Sequence, residues 1–160
     1  MLRRPEDLSR WLVAAGLCVE PVEVSQAELG EARALREAVH RLFCQRLADE
    51  SLGAADVAVV NEAAERAGRF PRLTSSGGVV WAAGEPVHAA LAAVAADGIE
   101  LLAGPLADRV RECAAPDCAF LFVDTSRPGT RRWCAQDRCG NRQHVRQHRA
   151  RRTARPTGAR

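Results

Sequence analysis

The chain has 160 residues, of which 47% are hydrophobic and 27% are charged. This length suits one ordinary domain or one domain with a small module, and the composition excludes a disordered chain. The net charge of +3 is unevenly distributed, because residues 1–126 hold 12 Arg against 19 acidic residues, whereas residues 127–160 hold 11 Arg against Asp137 alone. A basic carboxyl-terminal segment of +10 therefore follows an acidic body of −7.

The first segment is amphipathic and does not have the pattern of a targeting signal. Residues 11–19 are apolar and follow several arginines, but Glu6 and Asp7 interrupt the positive charge and no small-residue cleavage site follows. No apolar run approaches the roughly 20 residues that cross a bilayer. The sequence therefore predicts a first helix over residues 5–15, no membrane insertion and a cytoplasmic location.

Helical periodicity continues along the amino-terminal part of the chain. Further helices are predicted at residues 25–47, 54–67 and 86–103. The first of these begins at a capping box formed by Ser25 and Glu28, and an apolar stripe follows it. The next is expected to end at Gly68. Between the last two helices, a proline, paired glycines and a Val-Val-Trp run predict a small β-hairpin over residues 70–82.

Four cysteines form the strongest signal in the sequence. Cys113 and Cys118 have four residues between them, Cys134 and Cys139 also have four, and fifteen residues separate the two pairs. Two close pairs, brought together by a hairpin-length spacer, are typical of a tetrahedral zinc site. Four sulfur ligands leave no open coordination position, so the spacing predicts one structural Zn²⁺. The alternative is two disulfides or four unremarkable thiols.

The residues around the cysteines predict a small zinc-finger fold. Residues 119–123 are predicted to form a strand, residues 124–130 a turn and residues 131–133 the returning strand of a hairpin. A helix is expected after the last cysteine, as in a treble-clef-like finger. The predicted fold class is α+β, with a mainly helical domain over residues 1–112 that contains a small β-hairpin, a four-cysteine finger over residues 113–152 and a disordered tail over residues 153–160.

Three aromatic residues flank the cysteine pairs. We expect Phe120, Phe122 and Trp133 to pack beside the metal, and the alternative is that they stack on nucleic-acid bases.

The other cysteines and two of the histidines carry no visible chemistry. Cys18 and Cys44 lie on apolar surfaces of predicted helices, where a small buried thiol is the usual outcome. His40 and His88 are expected to be isolated, without a nucleophile or a paired carboxylate at suggestive spacing. The sequence therefore predicts no catalytic residues and no enzyme.

Residues 140–152 predict a strongly basic helix after the last cysteine. Three arginines spaced by four and three residues share one helical face, namely Arg142, Arg146 and Arg149. The adjoining face carries Asn141, His144 and His148. Because such a helix suits the phosphates and base edges of nucleic acid, we expect the contacts to come from Arg131, Arg132, Asn141, Arg142, Arg146, Arg149, Arg151 and Arg152. The two histidines have the spacing of metal ligands, but the four cysteines already complete a zinc site.

The same region carries the motifs of a known family. The supporting residues are Cys113 with Cys118, Phe122-x-Asp124-Thr125-Ser126, Arg131-Arg132-Trp133-Cys134 and Cys139-Gly140-Asn141-Arg142. On these motifs the chain resembles the bacterial CGNR zinc-finger family, whose members carry an N-terminal α/β region called the ABATE domain and are described as stress-induced transcription regulators. The resemblance implies that residues 1–112 form an ABATE-like regulatory or assembly domain. Family proteins usually begin with an Asp-Phe-Val-Asn-Thr-like segment, which we expect this chain to lack.

Two classes of function remain open from the sequence. The first is a transcription regulator in which the zinc module binds double-stranded DNA, while the amino-terminal domain senses a ligand or mediates dimerisation. One small finger covers little DNA, so this hypothesis calls for a homodimer or help from RNA polymerase. The alternative is a protein-interaction adaptor that docks on an acidic partner, such as the transcription machinery. RNA binding would favour exposed aromatic residues, which are expected to be in the core of the finger.

Overall fold

The computed structural model describes residues 2–66, 70–82 and 85–153. The chain divides into two compact units, Met1–Pro105 and Leu106–Arg160. The break lies before the expected boundary at residue 112, because Val110–Glu112 pairs with a strand of the second unit. The expected disordered tail at residues 153–160 falls, from residue 154 onward, outside the described residues.

The first unit contains the four predicted helices. They are α1 (Pro5–Ala14), α2 (Gln26–Leu47), α3 (Ala54–Glu65) and α4 (Pro86–Ala103). The capping box at the start of α2 is confirmed, since the Glu28 amide donates to Ser25 Oγ (3.2 Å) and the Ser25 amide donates to Glu28 Oε2 (2.7 Å). The second of these bonds lowers the pKa of Glu28. The expected stop of α3 at Gly68 lies outside the described residues.

The helices bury one apolar core. Helices α2, α3 and α4 pack against one another, and α1 packs on α2. The large buried side chains of this core are Leu8, Leu12, Leu29, Leu35, Leu42, Val60, Val87 and Leu91. Within the described part of the chain, α4 is the one helix whose length and composition would allow it to cross a membrane. Burial of its Val87, Leu91 and Ala95 in the bundle accounts for that apolar composition.

The predicted hairpin of the first unit is confirmed. Strands β1 (Phe70–Leu73) and β2 (Val79–Ala82) pair antiparallel, with Phe70 opposite Ala82 and Leu73 opposite Val79. Gly77 in the connecting turn has a φ of 81°, a conformation that favours glycine.

The second unit is built around the cysteines. A short 3-10 helix (Ala107–Arg109) leads into β3 (Val110–Glu112), and β4 (Leu121–Val123) pairs antiparallel with it. A single π-helical turn (Gln136–Gly140) then leads directly into α5 (Asn141–Thr153). The expected helix after the last cysteine is confirmed.

The predicted partner of β4 is wrong. The sequence suggested that residues 119–123 pair with residues 131–133, but β4 pairs with β3 and residues 131–133 form an irregular segment. The physical reason is that the backbone of this segment is bonded elsewhere: the Arg131 amide donates to the Asp124 carboxylate (2.8 Å), and the Arg132 carbonyl accepts from the Ala114 amide (2.9 Å).

Candidate metal centre

The second unit brings the four predicted ligands to one point. The sulfur atoms of Cys113, Cys118, Cys134 and Cys139 all lie within 4.8 Å of one another. The separation is 3.8 Å between the sulfurs of Cys118 and Cys134, and 3.6 Å between those of Cys134 and Cys139. These separations are far longer than the bond of about 2.05 Å in a disulfide, which removes the disulfide alternative for these pairs.

Backbone-to-backbone hydrogen bonds position three of the four thiols. The Cys113 amide donates to the carbonyl of Phe120 (2.9 Å), which continues the β3–β4 pairing to the first ligand. The Cys118 amide donates to the Ala115 carbonyl (3.0 Å) and closes a tight turn. The Cys139 amide donates to the Ala135 carbonyl (2.9 Å) within the π-helical turn. The two short loops, one for each cysteine pair, therefore place their sulfurs next to one another.

The four clustered sulfurs oppose one another's deprotonation. Burial raises the pKa of Cys113, but the amides of Cys134 and Ala115 donate to its sulfur and lower the net value to about 7. For Cys134, burial and the neighbouring thiols raise the pKa to about 12. Four thiolates at this spacing repel one another unless a cation lies between them. A metal ion that binds here displaces the remaining protons.

The donor set and its spacing fit zinc. Four sulfurs at about 2.3 Å from a tetrahedral Zn²⁺ are separated by about 3.8 Å, close to the separations in this structure. Four cysteines are a typical ligand set for structural zinc, and they leave no position for water or substrate. The protein therefore binds one structural zinc through the predicted residues.

The aromatic residues near the site divide into two groups. Phe122 and Trp133 are partly buried against the cysteines, as predicted. Phe120 is 67% exposed, so the prediction that it packs beside the metal is wrong. In a regular strand, residues two positions apart point to the same side, so Phe120 would be expected to face inward with Phe122. Phe120 precedes the first residue of β4, however, and the geometry of the strand does not extend to it.

Asp124 has a structural role that the sequence did not reveal, since it stood out there only as part of a family motif. Its carboxylate is fully buried at the end of β4 and accepts bonds from the Ser126 amide (2.9 Å), the Ser126 hydroxyl (2.6 Å) and the Arg131 amide (2.8 Å). The hydroxyl bond, opposed by burial and assisted by the two amides, holds the pKa of Asp124 below its usual value. This carboxylate fixes the turn that carries the chain back toward Cys134.

We expect Asp124→Asn to lower the thermal midpoint of the second unit by about 4–8 °C, because the amide nitrogen that replaces one carboxylate oxygen cannot accept the bonds made to that oxygen. Faster hydrogen exchange at the Ser126 or the Arg131 amide, which donate to different oxygens of the carboxylate, should accompany the shift. Because the folded pKa is lowered, this stabilisation is present above pH 3.8 and is lost as the pH falls through the lowered value. Asp137→Asn, a change at an exposed acid of the same unit, is the matched control and should alter neither measurement.

The basic helix is attached to the metal centre by an acidic residue between the first two ligands. Asp117 Oδ2 accepts from Arg142 Nη1 (3.0 Å) and from Arg146 Nη2 (3.3 Å). Arg142 also donates to the sulfur of Cys139 (3.4 Å), and this bond is the main reason that its pKa is raised. Two arginines of the predicted phosphate-binding face thus contact the Cys113–Cys118 loop. Sequence spacing gave no signal for Asp117, because its partners lie 25 and 29 residues away.

The other predicted nucleic-acid contacts are dispersed over the second unit. Arg131 lies over the ring of Phe122 (4.9 Å) and Arg132 over that of Trp133 (5.0 Å). Asn141 donates from Nδ2 to the Asp137 carbonyl (3.2 Å), and Arg149 is exposed on α5. Arg151 and Arg152 belong to α5, and their side chains lie outside the described part.

The expected isolation of two histidines is wrong. His40 Nδ1 lies 3.6 Å from the sulfur of Cys44, one helical turn along α2. His88 contacts carboxylates on both ring nitrogens, with Glu85 at 2.6 Å from Nδ1 and Glu31 at 2.9 Å from Nε2. The second contact arises from packing of α4 on α2, which helical spacing cannot reveal. Cys18 and Cys44 are half-buried.

These features define a class of protein, in which a helical domain is followed by a small structural-zinc module with a basic helix. The chain belongs to the ABATE family: the family model described as "Putative stress-induced transcription regulator" matches residues 1–105, and the CGNR zinc finger model matches residues 109–152. The resemblance drawn from the cysteine motifs is thereby confirmed. A comparison with curated proteins finds no match. Family and site together identify a zinc-binding regulator.

Proposed function

We propose that the protein is an intracellular transcription regulator whose zinc module binds double-stranded DNA. The observation that carries this proposal is the charge of the unit built on the metal centre. The unit Leu106–Arg160 holds 13 Arg against 5 acidic residues, whereas Met1–Pro105 holds 10 Arg against 15 acidic residues. A basic surface that a metal ion makes rigid suits the phosphates of nucleic acid. The proposed role includes no catalytic step.

The position of α5 supports this role. The helix begins immediately after Cys139 and Gly140, which are both buried, so its first turn is held by the metal centre. Exposed arginines lie on this helix and on the segment before Cys134, for example Arg149 and Arg132. One zinc module covers about 600–1,000 Å² on DNA, so the proposal includes either two copies of the chain or RNA polymerase as a second partner. The acidic helical unit is the proposed site of dimerisation or ligand sensing.

Binding to random-sequence duplex DNA at several salt concentrations, by fluorescence anisotropy, tests the proposal. The logarithm of affinity should fall linearly with the logarithm of salt concentration, with a slope of about −0.9 for each phosphate contact. Arg132→Gln and Arg149→Gln should each weaken binding and reduce the slope by about 0.9. The matched control is Arg72→Gln, which removes an exposed arginine from β1 of the first unit and should change neither value.

Chelation of zinc distinguishes recognition by the folded module from attraction to a charged segment. Loss of binding on chelation, with recovery when zinc is restored, supports the proposal. Equal and weak binding with and without zinc contradicts it. Absence of duplex affinity together with zinc-dependent binding to an acidic protein of the transcription machinery would support the adaptor alternative.

A further inference from the structure

The side chains of α5 divide into two stripes with different environments. Arg142 and Arg146 are one turn apart, and both bond Asp117 in the loop between the first two zinc ligands. Arg142 also bonds the sulfur of Cys139. This stripe therefore faces the metal centre, and its arginines hold the helix in place. Because these two arginines are bonded within the unit, the side chains of α5 outside this stripe are the ones with polar groups left for a partner.

The second stripe consists of Asn141, Val145 and His148, which are spaced by four and three residues and so lie one above another on the helix. Helical geometry places this stripe roughly 120° around the axis from the pair that bonds Asp117. All three side chains are exposed, and Val145 is 49% exposed. A β-branched apolar residue is a poor choice for a solvated position on a helix otherwise rich in arginine. The stripe therefore offers a partner one apolar contact between two hydrogen-bonding side chains.

We propose that the Asn141–Val145–His148 stripe enters the major groove of duplex DNA and reads base edges. This inference rests on the proposed function, and the excess positive charge of the second unit supplies the complementarity to a polyanion. Duplex DNA is favoured over an acidic protein because the three side chains match the groups of the major groove. The major groove also admits one α-helix.

The chemistry of each side chain fits one kind of base edge. Asn141 uses one N–H of Nδ2 for the Asp137 carbonyl, so its second N–H can donate to adenine N7 while Oδ1 accepts from adenine N6. Val145 provides the apolar contact that a thymine methyl group requires. His148 offers a ring nitrogen for an adjacent base. The expected site is thus rich in A·T pairs, with phosphate contacts made by the flanking arginines.

Selection from a random duplex library, followed by affinity measurements on the selected and the random duplex, tests this inference. The variants are Asn141→Ser, Val145→Ala and His148→Ala, which suit helix-surface positions and should retain zinc and helical circular dichroism. Asn141→Ser should reduce the preference for the selected duplex by about 5- to 150-fold. The other two variants should produce smaller reductions. Affinity for the random duplex should fall by a much smaller factor than affinity for the selected duplex in all three, because the phosphate contacts of the arginines remain.

Arg149→Gln is the matched control on the same helix. It should weaken binding to the selected and the random duplex by the same factor, because a phosphate contact carries no sequence information. A native protein with no sequence preference, or a preference that survives in all three stripe variants, overturns this inference and leaves the proposed function standing. A native protein without salt-dependent duplex affinity overturns both.

Asp117→Asn is a variant for which we expect stronger, not weaker, binding to random duplex DNA. Removing the carboxylate releases Arg146, whereas Arg142 keeps its bond to the Cys139 sulfur, so random-duplex affinity should rise and the salt dependence should steepen by about 0.9. The preference for the selected duplex should fall, because α5 is no longer held in one orientation on the zinc loop. An unchanged preference would contradict the positioning role of the pair and overturn the inferred orientation of the stripe.

Discussion

Removal of zinc is expected to unfold the second unit while the helical first unit stays folded. All four ligands lie within Leu106–Arg160, and the apolar cluster there contains few residues besides the cysteines, Phe122 and Trp133. Zinc binding contributes about 10–16 kcal/mol in zinc-finger peptides, more than the total stability of many domains. Without the metal, two buried and two half-buried cysteines are left at the centre of this small core with no ion to hold them together.

Elemental analysis and hydrogen exchange measure the effect. The native protein should contain one zinc per chain, and Cys139→Ser should contain none. Amides of β3, β4 and the π-helical turn should lose their protection in the variant or after chelation, whereas amides within α2 should keep theirs. Cys18→Ser, a change at a half-buried thiol of the first unit, is the control and should retain full zinc. A native protein without stoichiometric metal would refute the zinc assignment.

The second large effect is expected from Leu42→Ala, which creates a cavity in the core of the first unit. Leu42 lies on α2 and is almost completely buried among residues of the helical bundle. Loss of a large buried aliphatic side chain costs about 2–5 kcal/mol, because the transfer free energy is lost and a cavity remains. Urea denaturation followed by circular dichroism should show this decrease in the free energy of unfolding of the bundle.

The same substitution at the end of the helix provides the control. Leu47 also belongs to α2 but is 39% exposed, so Leu47→Ala should cost about 1 kcal/mol or less. Both variants should retain one zinc per chain, because none of the ligands lies in the first unit. Loss of zinc from Leu42→Ala would show that the metal centre depends on the bundle, contrary to this expectation.

The features that sequence predicted correctly are mostly local. The capping box of Ser25 and Glu28 joins residues three apart, and the apolar stripe of α2 follows the period of one helix. The zinc ligands were also predictable, although the two pairs are distant in the chain. Each pair lies on a short loop, and cysteine is a preferred ligand of zinc, so spacing and chemistry together restrict the site.

Features that depend on distant segments escaped prediction. The partner of β4 is β3, because backbone bonds such as Cys113 to Phe120 join strands that precede and follow the first cysteine loop. By contrast, the contact at Gly140 is local: a Cβ there would lie 2.6 Å from the end of the Gln136 side chain, so a larger residue would require that exposed side chain to move.

The sequence alone determined the four metal ligands, the helices of the first unit and the separation of acidic from basic charge. These properties depend on the types of residue, on short spacings along the chain and on the number of charged residues in each part, all of which can be read from the sequence. Only the tertiary structure decided which side of α5 faces the metal centre, because Asp117 meets Arg142 and Arg146 across 25 and 29 residues. The exposure of Phe120 and the burial of Asp124 were decided in the same way, since both follow from how the chain packs around the four sulfurs.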